Sequence, residues 1–542
     1  MHRSPRCKDF GNRRLTTDAI PPCLAIALLA VVGCSQNAAQ PGAIERDAQS
    51  QSAAPSKSAA NPTLAAKETW DVYYIQGVRA GYGRIVEREV DDEGRKLLRF
   101  EGEQKLSIQR FGEATEVGFE ISSLETPEGK LLSLSSKREM GPQPTTVSGW
   151  VQDDKLHLST TTAGKTVESQ IDWPAEARGY FAIEQELARK PMQPGEHRTF
   201  EGLEPIANTL GQIDLLAGDY EVAELLAGSY ELLRIESTVE QLGEKLSETL
   251  WVDRSGAVLK GHFPVMQISR YRTTKAVALA EPDEMFDLGD ASTVKLAKPL
   301  KNAHESKHAV YRVELSGGDP AAVFVAGPGQ HVKSTGPNSA EITVDALRPD
   351  ALRPDALRPD APSPEGQAEL AAPPTAADRQ PSSFIQSDDP AIVAMAEKAA
   401  GDEQDPWKVA ASLESYVHRN LAAKNYSTAF ATASEVAQSM EGDCTEHAVL
   451  LAALARARKL PARVAIGLVY AAKEQGFAFH LWTEVYVNRR WIPLDATLGR
   501  GGAGADHLKL ADSSLEGQAA YASFLPVAQV LGRLKIEVLE ME

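Results

Sequence analysis

Between Asp345 and Gly366 the chain reads DALRPDALRPDALRPDAPSPEG, and no other stretch limits the fold as sharply. A proline every five residues removes a backbone donor and fixes a dihedral too often for a helix or a central strand to survive. An extended, partly stiff linker is therefore expected over residues 346–382. It divides the 542-residue chain into two parts with different patterns, and two or three domains of ordinary size are expected at this length.

Before the linker the pattern is that of strands. WDVYYIQG, LLRFEGEQKLSI, EVGFEISSLE and LLRIESTVEQL alternate apolar and polar residues. DDEG, PEGK, QDDK and DRSG separate them as turns, and LSETLWVDRSGAVLKGHF reads as a hairpin across Arg254, Ser255 and Gly256. A large antiparallel sheet, curved or folded into a sandwich, is expected over 67–282. HAVYRVELSGGDPAAVFVAG and AEITVDAL add a small β segment within 283–345. No cluster of catalytic residue types stands out in this half, which reads as a scaffold or binding surface.

After the linker the pattern changes to helices: SDDPAIVAMAEKAAG, DPWKVAASLESYVHRNL and GDCTEHAVLLAALARARKLP. In the third, Asp443 stands at the N-cap, Glu446 completes a capping-box spacing, and Pro461 is the stop. Cys444 then occupies the first helical position, where free N–H groups and the positive dipole end favour a thiolate. A thiolate needs a base and the base needs an orienting group. FAFHLWTEVYVNRRWIPLDATLG reads as two strands joined at Asn488 and Arg489, an even register in which Tyr486 faces Trp491 and Trp482 faces Asp495. Asp495 is then diagonal to His480 on one face, whereas a three-residue loop would turn it to the other.

Cys444 in GDCTEHA, followed by LPARVAIGLVY, HLWTEVYV and WIPLDATLG in that order, resembles the transglutaminase-like superfamily of papain-like cysteine enzymes. The resemblance covers about 383–542 and implies an α+β domain, the cysteine helix packed on an antiparallel sheet. It implies Cys444 as nucleophile, His480 as general base and acid, and Asp495 as the residue orienting the imidazole. The chain departs from the family in Leu481, where a small residue is usual and a larger one narrows the site. It departs again in Ala496, where proline is common. The Cys444 N–H is one oxyanion donor by analogy; Gln438, Asn425 and Tyr426 are candidates for the second. The chemistry implied is acyl transfer from an amide through a thioester, resolved by water or by an amine; water needs no second substrate site. The alternative is a non-catalytic binding or assembly module on the same fold. No cofactor is implied: a zinc site from Cys444, His447 and His480 lacks a fourth ligand, and no acidic loop has calcium spacing. His507 has no role assignable from sequence.

The remaining cysteines, Cys7, Cys23 and Cys34, lie near the N-terminus. Arg3, Arg6, Lys8, Arg13 and Arg14 precede the apolar run IPPCLAIALLAVVGC, which is too short for a comfortable span but suits a signal-peptide core. Its end resembles the lipobox of bacterial lipoproteins, which implies a signal peptide over 1–33 and lipidation of Cys34. Residues 34–66, almost without large apolar side chains, would be a flexible tether. Cys444 would then be the one free thiol of an exported chain anchored to a cell-envelope membrane, with a protein or peptide substrate there. A net charge of −18 without a basic stripe argues against nucleic acid. Oligomeric state is not written in the sequence.

Overall fold

The structure, a computed structural model, describes residues 66–542 except 141–142, 163, 206–207, 242–243, 265–266, 328, 349–371, 422–429, 517–519 and 521–522. The expected signal peptide, Cys34 and the tether up to residue 65 lie outside the described residues, as do Asn425 and Tyr426.

Period-two patterning before the linker produces one antiparallel sheet. Among the described residues it has fourteen strands, β1–β14 in chain order between Lys67 and Thr273. Two meanders of eight and six strands are joined where β1 (Lys67–Ile75) pairs with β14 (Ile268–Thr273), Trp70 opposite Thr273 and Ile75 opposite Ile268. Along β4 (Glu113–Glu125) Thr115, Val117 and Phe119 are buried and their neighbours are more exposed, as half-buried strands require. The helix α1 (Ala182–Arg189) buries Ala182 and Leu187 in the same core. The hairpin at Arg254–Gly256 forms as expected, with Val252 opposite Val258.

Past the linker, the three expected helices form, the third with its expected cap, and a fourth not read from the sequence lies between them. They are α2 (Pro390–Ala400), α3 (Pro406–Asn420), α4 (Ala433–Ser439) and α5 (Cys444–Ala457). Asp389, Asp405, Thr432 and Asp443 cap them through side-chain oxygens, and α2 and α3 start with proline, which has no N–H to orphan. Every residue of α5 from Cys444 to Arg456 is buried, so this helix is central to its unit. It ends at Ala457, before Pro461, with Lys459 at φ 64° turning the chain into the next strand.

Two sheets complete this unit. In chain order their strands are β15 (Val294–Lys295), β16 (His308–Leu315), β17 (Gln330–Gly336), β18 (Ser339–Asp345), β19 (Ala462–Ala471), β20 (Gly476–Val487), β21 (Arg490–Leu494), β22 (His507–Ser513) and β23 (Leu534–Met541). One sheet runs β15-β20-β19-β22, with β21 also on β20; the other runs β17-β18-β16-β23.

The linker does not separate everything before it from everything after it. β15 pairs with β20 and β16 with β23, so 283–345 is built into the unit that follows the linker. Both described ends of 346–382 are docked as well. Arg348 is buried and donates to the Glu305 carbonyl, the Ala372 carbonyl accepts from Trp491 Nε1, and that of Gln380 accepts from Arg456. Pairing between strands as distant as Val294 from Phe477 and Ala309 from Met541 leaves no local period to read.

The large sheet also meets this unit. The Met140 carbonyl accepts from the Phe430 N–H at 2.9 Å, and the Gln143 N–H donates to Glu435 at 3.0 Å. The tip of the hairpin between β3 (Arg95–Arg110) and β4 donates the Phe111 and Gly112 N–H groups to Asp287. The apolar core is continuous across the contact.

Candidate functional site

The site begins at the start of α5. Asp443 lies in the extended region (φ −98°, ψ −154°) and accepts from the Thr445 N–H at 2.9 Å, while Glu446 Oε2 accepts the Asp443 N–H at 2.9 Å. This is the expected capping box, and it leaves Cys444 on the first turn, fully buried at the positive end of the dipole. Burial, and then the charge of Asp443, hold the Glu446 carboxyl well above the usual carboxylate range. A residue not foreseen, Arg110 at the end of β3, reaches across and donates from Nη2 to Asp443 Oδ2 at 2.5 Å, both side chains 1% exposed. Nothing local in its hairpin marked it.

The β20–β21 hairpin has the even register. Asn488 and Arg489 form its two-residue loop at φ 51° and 64°, Tyr486 is opposite Trp491, and the ladder runs to Thr483 opposite Leu494. One further step brings Asp495 level with Trp482 and diagonal to His480. His480 Nε2 donates to Asp495 Oδ2 at 2.7 Å with both side chains fully buried. Burial opposes a charge on His480, but the Asp495 carboxylate outweighs it and, with the Cys444 thiol, lifts the pKa to about 10. Asp495 is likewise opposed by burial, and the two histidines against it hold it well below the usual range. The Trp482 ring lies 6.2 Å from that of His480, nearly parallel at 25°. Strand alternation turns Leu481 to the opposite face, where it joins the core, so it does not narrow the site beside His480.

Asp495 is saturated with donors. Its Oδ1 accepts the N–H groups of Thr497 (2.9 Å) and Leu498 (3.2 Å), a turn that forms with Ala496 in place of proline. Its own N–H donates to Glu414 Oε1, which also takes the Gly502 N–H at 3.0 Å. Glu414 was not foreseen; burial, with Asp495 nearby, brings its pKa to about 7.

Nor was the other neighbour of Asp495. His507, opening β22, places Nε2 3.0 Å from Asp495 Oδ2 and Nδ1 3.1 Å from Asp506 Oδ1. Asp506 Oδ2 lies 2.6 Å from His304 Nδ1. An Asp-His pair at a strand start was visible in the sequence, but the β19–β22 pairing that carries it to Asp495 was not.

Gln438 is exposed at the end of α4, whereas Cys444 is buried. His447 Nδ1 donates back to the Asp443 carbonyl at 2.7 Å. Among the described residues one group has metal-ligand spacing, His480, Asp495 and His507, with donor atoms within 4.8 Å of one another; hydrogen bonds account for these contacts, and Cys444 and His447 are not part of it.

Residues 393–496 match the sequence profile of the transglutaminase-like superfamily, a span that holds Cys444, His480 and Asp495 and ends before Asp506. None of the curated proteins compared matches the chain. Among solved structures, one provisionally described as a cysteine protease of Cytophaga hutchinsonii is 17% identical and covers 44% of this chain and 87% of its own, with a TM-score of 0.26. A β-barrel-like protein of a domain of unknown function from Brucella abortus is 8% identical and covers 38% and 94%, with a TM-score of 0.29.

Proposed function

We propose that the chain is a lipid-anchored envelope protein whose C-terminal unit performs acyl transfer on a peptide or glutaminyl amide. Cys444 is the nucleophile, His480 its base and acid, and Asp495 the orienting group. The observation that carries this reading is a buried thiol at a helix start in one unit with an imidazole held at 2.7 Å from a buried carboxylate. The Cys444 thiolate attacks the amide carbon, the C–N bond breaks, and His480 gives its proton to the leaving amine, leaving a thioester. Water, deprotonated by His480, then releases the acid; an amine in its place gives a new amide. Hydrolysis is favoured because it needs no second site. The anchor and the envelope location rest on the sequence around Cys34.

A non-catalytic binding module is the second reading, favoured by the complete burial of Cys444, His480 and Asp495 beneath a docked β half. To separate the two, the full chain, with Cys7, Cys23 and Cys34 replaced by Ser, is incubated with a peptide electrophile and examined by mass spectrometry. An adduct on Cys444, lost in His480→Ala, supports acyl transfer. A chain that stays unmodified while folded refutes it.

A further inference from the structure

His507 lies outside the matched region and is used by no step above, yet it is buried and held from both sides. Both of its ring nitrogens face carboxylate oxygens, Nδ1 toward Asp506 at 3.1 Å and Nε2 toward Asp495 at 3.0 Å. An ionised carboxylate only accepts, so each nitrogen must carry a proton and the ring must be an imidazolium. The row Cys444, His480, Asp495, His507, Asp506, His304 thus alternates groups that accept or carry negative charge with groups that donate.

We propose that His507 is a positioning residue of this centre: as a fixed imidazolium it holds Asp495 in line with His480 and takes up part of its charge, so that His480 can release its proton. The proposal rests on the reading of Cys444 and His480 as the reacting pair. The geometric reason is that one oxygen, Asp495 Oδ2, serves both imidazoles. Each donor weakens that oxygen's pull on the other. With a single partner, the full carboxylate charge would fall on His480, which would bind its proton too tightly to act as an acid toward a leaving amine.

Titratable groups face this centre from every element packed against it. Asp506 is held below its usual range, opposed by burial and driven by His507 and His304, and its second oxygen is fixed by His304 from the segment before β16. Burial opposes a charge on His507, but Asp506 and Asp495 lift its pKa to about 9. The Tyr311 hydroxyl of β16 donates to the Ala505 carbonyl and stays protonated, since burial raises it. Glu414 from α3 faces Asp495, and Cys444 from α5 faces His480. Glu484 of β20 and Lys509 of β22 neutralise each other nearby. Trp482 closes the apolar side, its ring 5.2 Å from that of His507.

The test is a pH titration of imidazole nitrogen shifts in the full chain labelled with [15N]histidine, with Cys444 as its single thiol and His507 assigned through ring contacts to Trp482. Wild-type His507 is expected to show two protonated nitrogens from pH 5 to at least pH 8. His480, with a midpoint near 10, is about half protonated at pH 10. His507→Asn is expected to raise that midpoint by about one unit or more, giving about 90% protonated His480 at pH 10, the effect of removing one adjacent charge. Asp506→Asn with His507→Asn removes both charges and is expected to fall between. A purely structural role would not order the three proteins this way. The proposal is overturned if wild-type His507 titrates near the ordinary value of about 6.5, a result that needs no variant to fold. It is also overturned if His507→Asn leaves the His480 midpoint unmoved. Cys444→Ser tests the underlying pair separately. It should lower the His480 midpoint, and an unmoved midpoint would remove that pair while leaving the His507 result readable.

Discussion

Replacing Arg110 by Leu tests whether the β half braces the start of the cysteine helix. Arg110 and Asp443 are each 1% exposed and meet at 2.5 Å. Removing one partner of such a pair costs about 3–5 kcal/mol, because it leaves a buried charge uncompensated. Asp443 keeps the Thr445 N–H at 2.9 Å and the positive helix end, so the low end is expected, about 3 kcal/mol. Chains of this length commonly depart from two-state unfolding, so a single unfolding midpoint is a poor readout. Amide hydrogen exchange of peptides covering 443–457 is the better assay, and a loss of about 3 kcal/mol speeds it on the order of 100-fold. Asp443→Asn alongside Arg110→Leu removes the stranded charge, and Asn caps helices as well as Asp, so the double variant should lose only about 1–2 kcal/mol. Exchange in Arg110→Leu within fivefold of wild type would refute the bracing. So would a double variant less protected than the single one.

Two further perturbations address the support of the site. Burial raises the Glu414 pKa from 4.5 to about 7, so this carboxylate lowers stability progressively as pH rises from 4.5 to 7 and fully above that. Glu414→Gln keeps an acceptor for the Asp495 and Gly502 N–H groups, and amide-exchange protection of 406–420 relative to wild type at the same pH should improve across that window; a pH-independent difference would argue against a titrating Glu414. Gly467 sits on β19 opposite His480 and beside β22, where an added Cβ would lie 2.1 Å from the Leu508 carbonyl oxygen. Gly467→Ala should therefore displace β22, release His507 and speed amide exchange across 507–513, whereas unchanged protection there would contradict the register.

The sequence by itself determined the elements whose causes are local. The Asp443 cap and Glu446 three residues later placed the start of the cysteine helix, and so put Cys444 at a helix N-terminus, whereas the helix Ala433–Ser439 was not read from the sequence. The two-residue Asn488–Arg489 loop set the parity of its hairpin, and parity alone decides whether Asp495 shares a face with His480. Alternation before the linker was enough for a large antiparallel sheet, though not for the single continuous sheet joined through β1 and β14. Only the tertiary structure decided what rests on pairing between distant segments: that 283–345 belongs with the strands beyond the proline repeat, that Arg110 crosses 333 residues to Asp443, and that β22 swings His507 and Asp506 behind Asp495. A charge acts through space, and whether its partner lies within 3 Å depends on the closure of loops that carry no period.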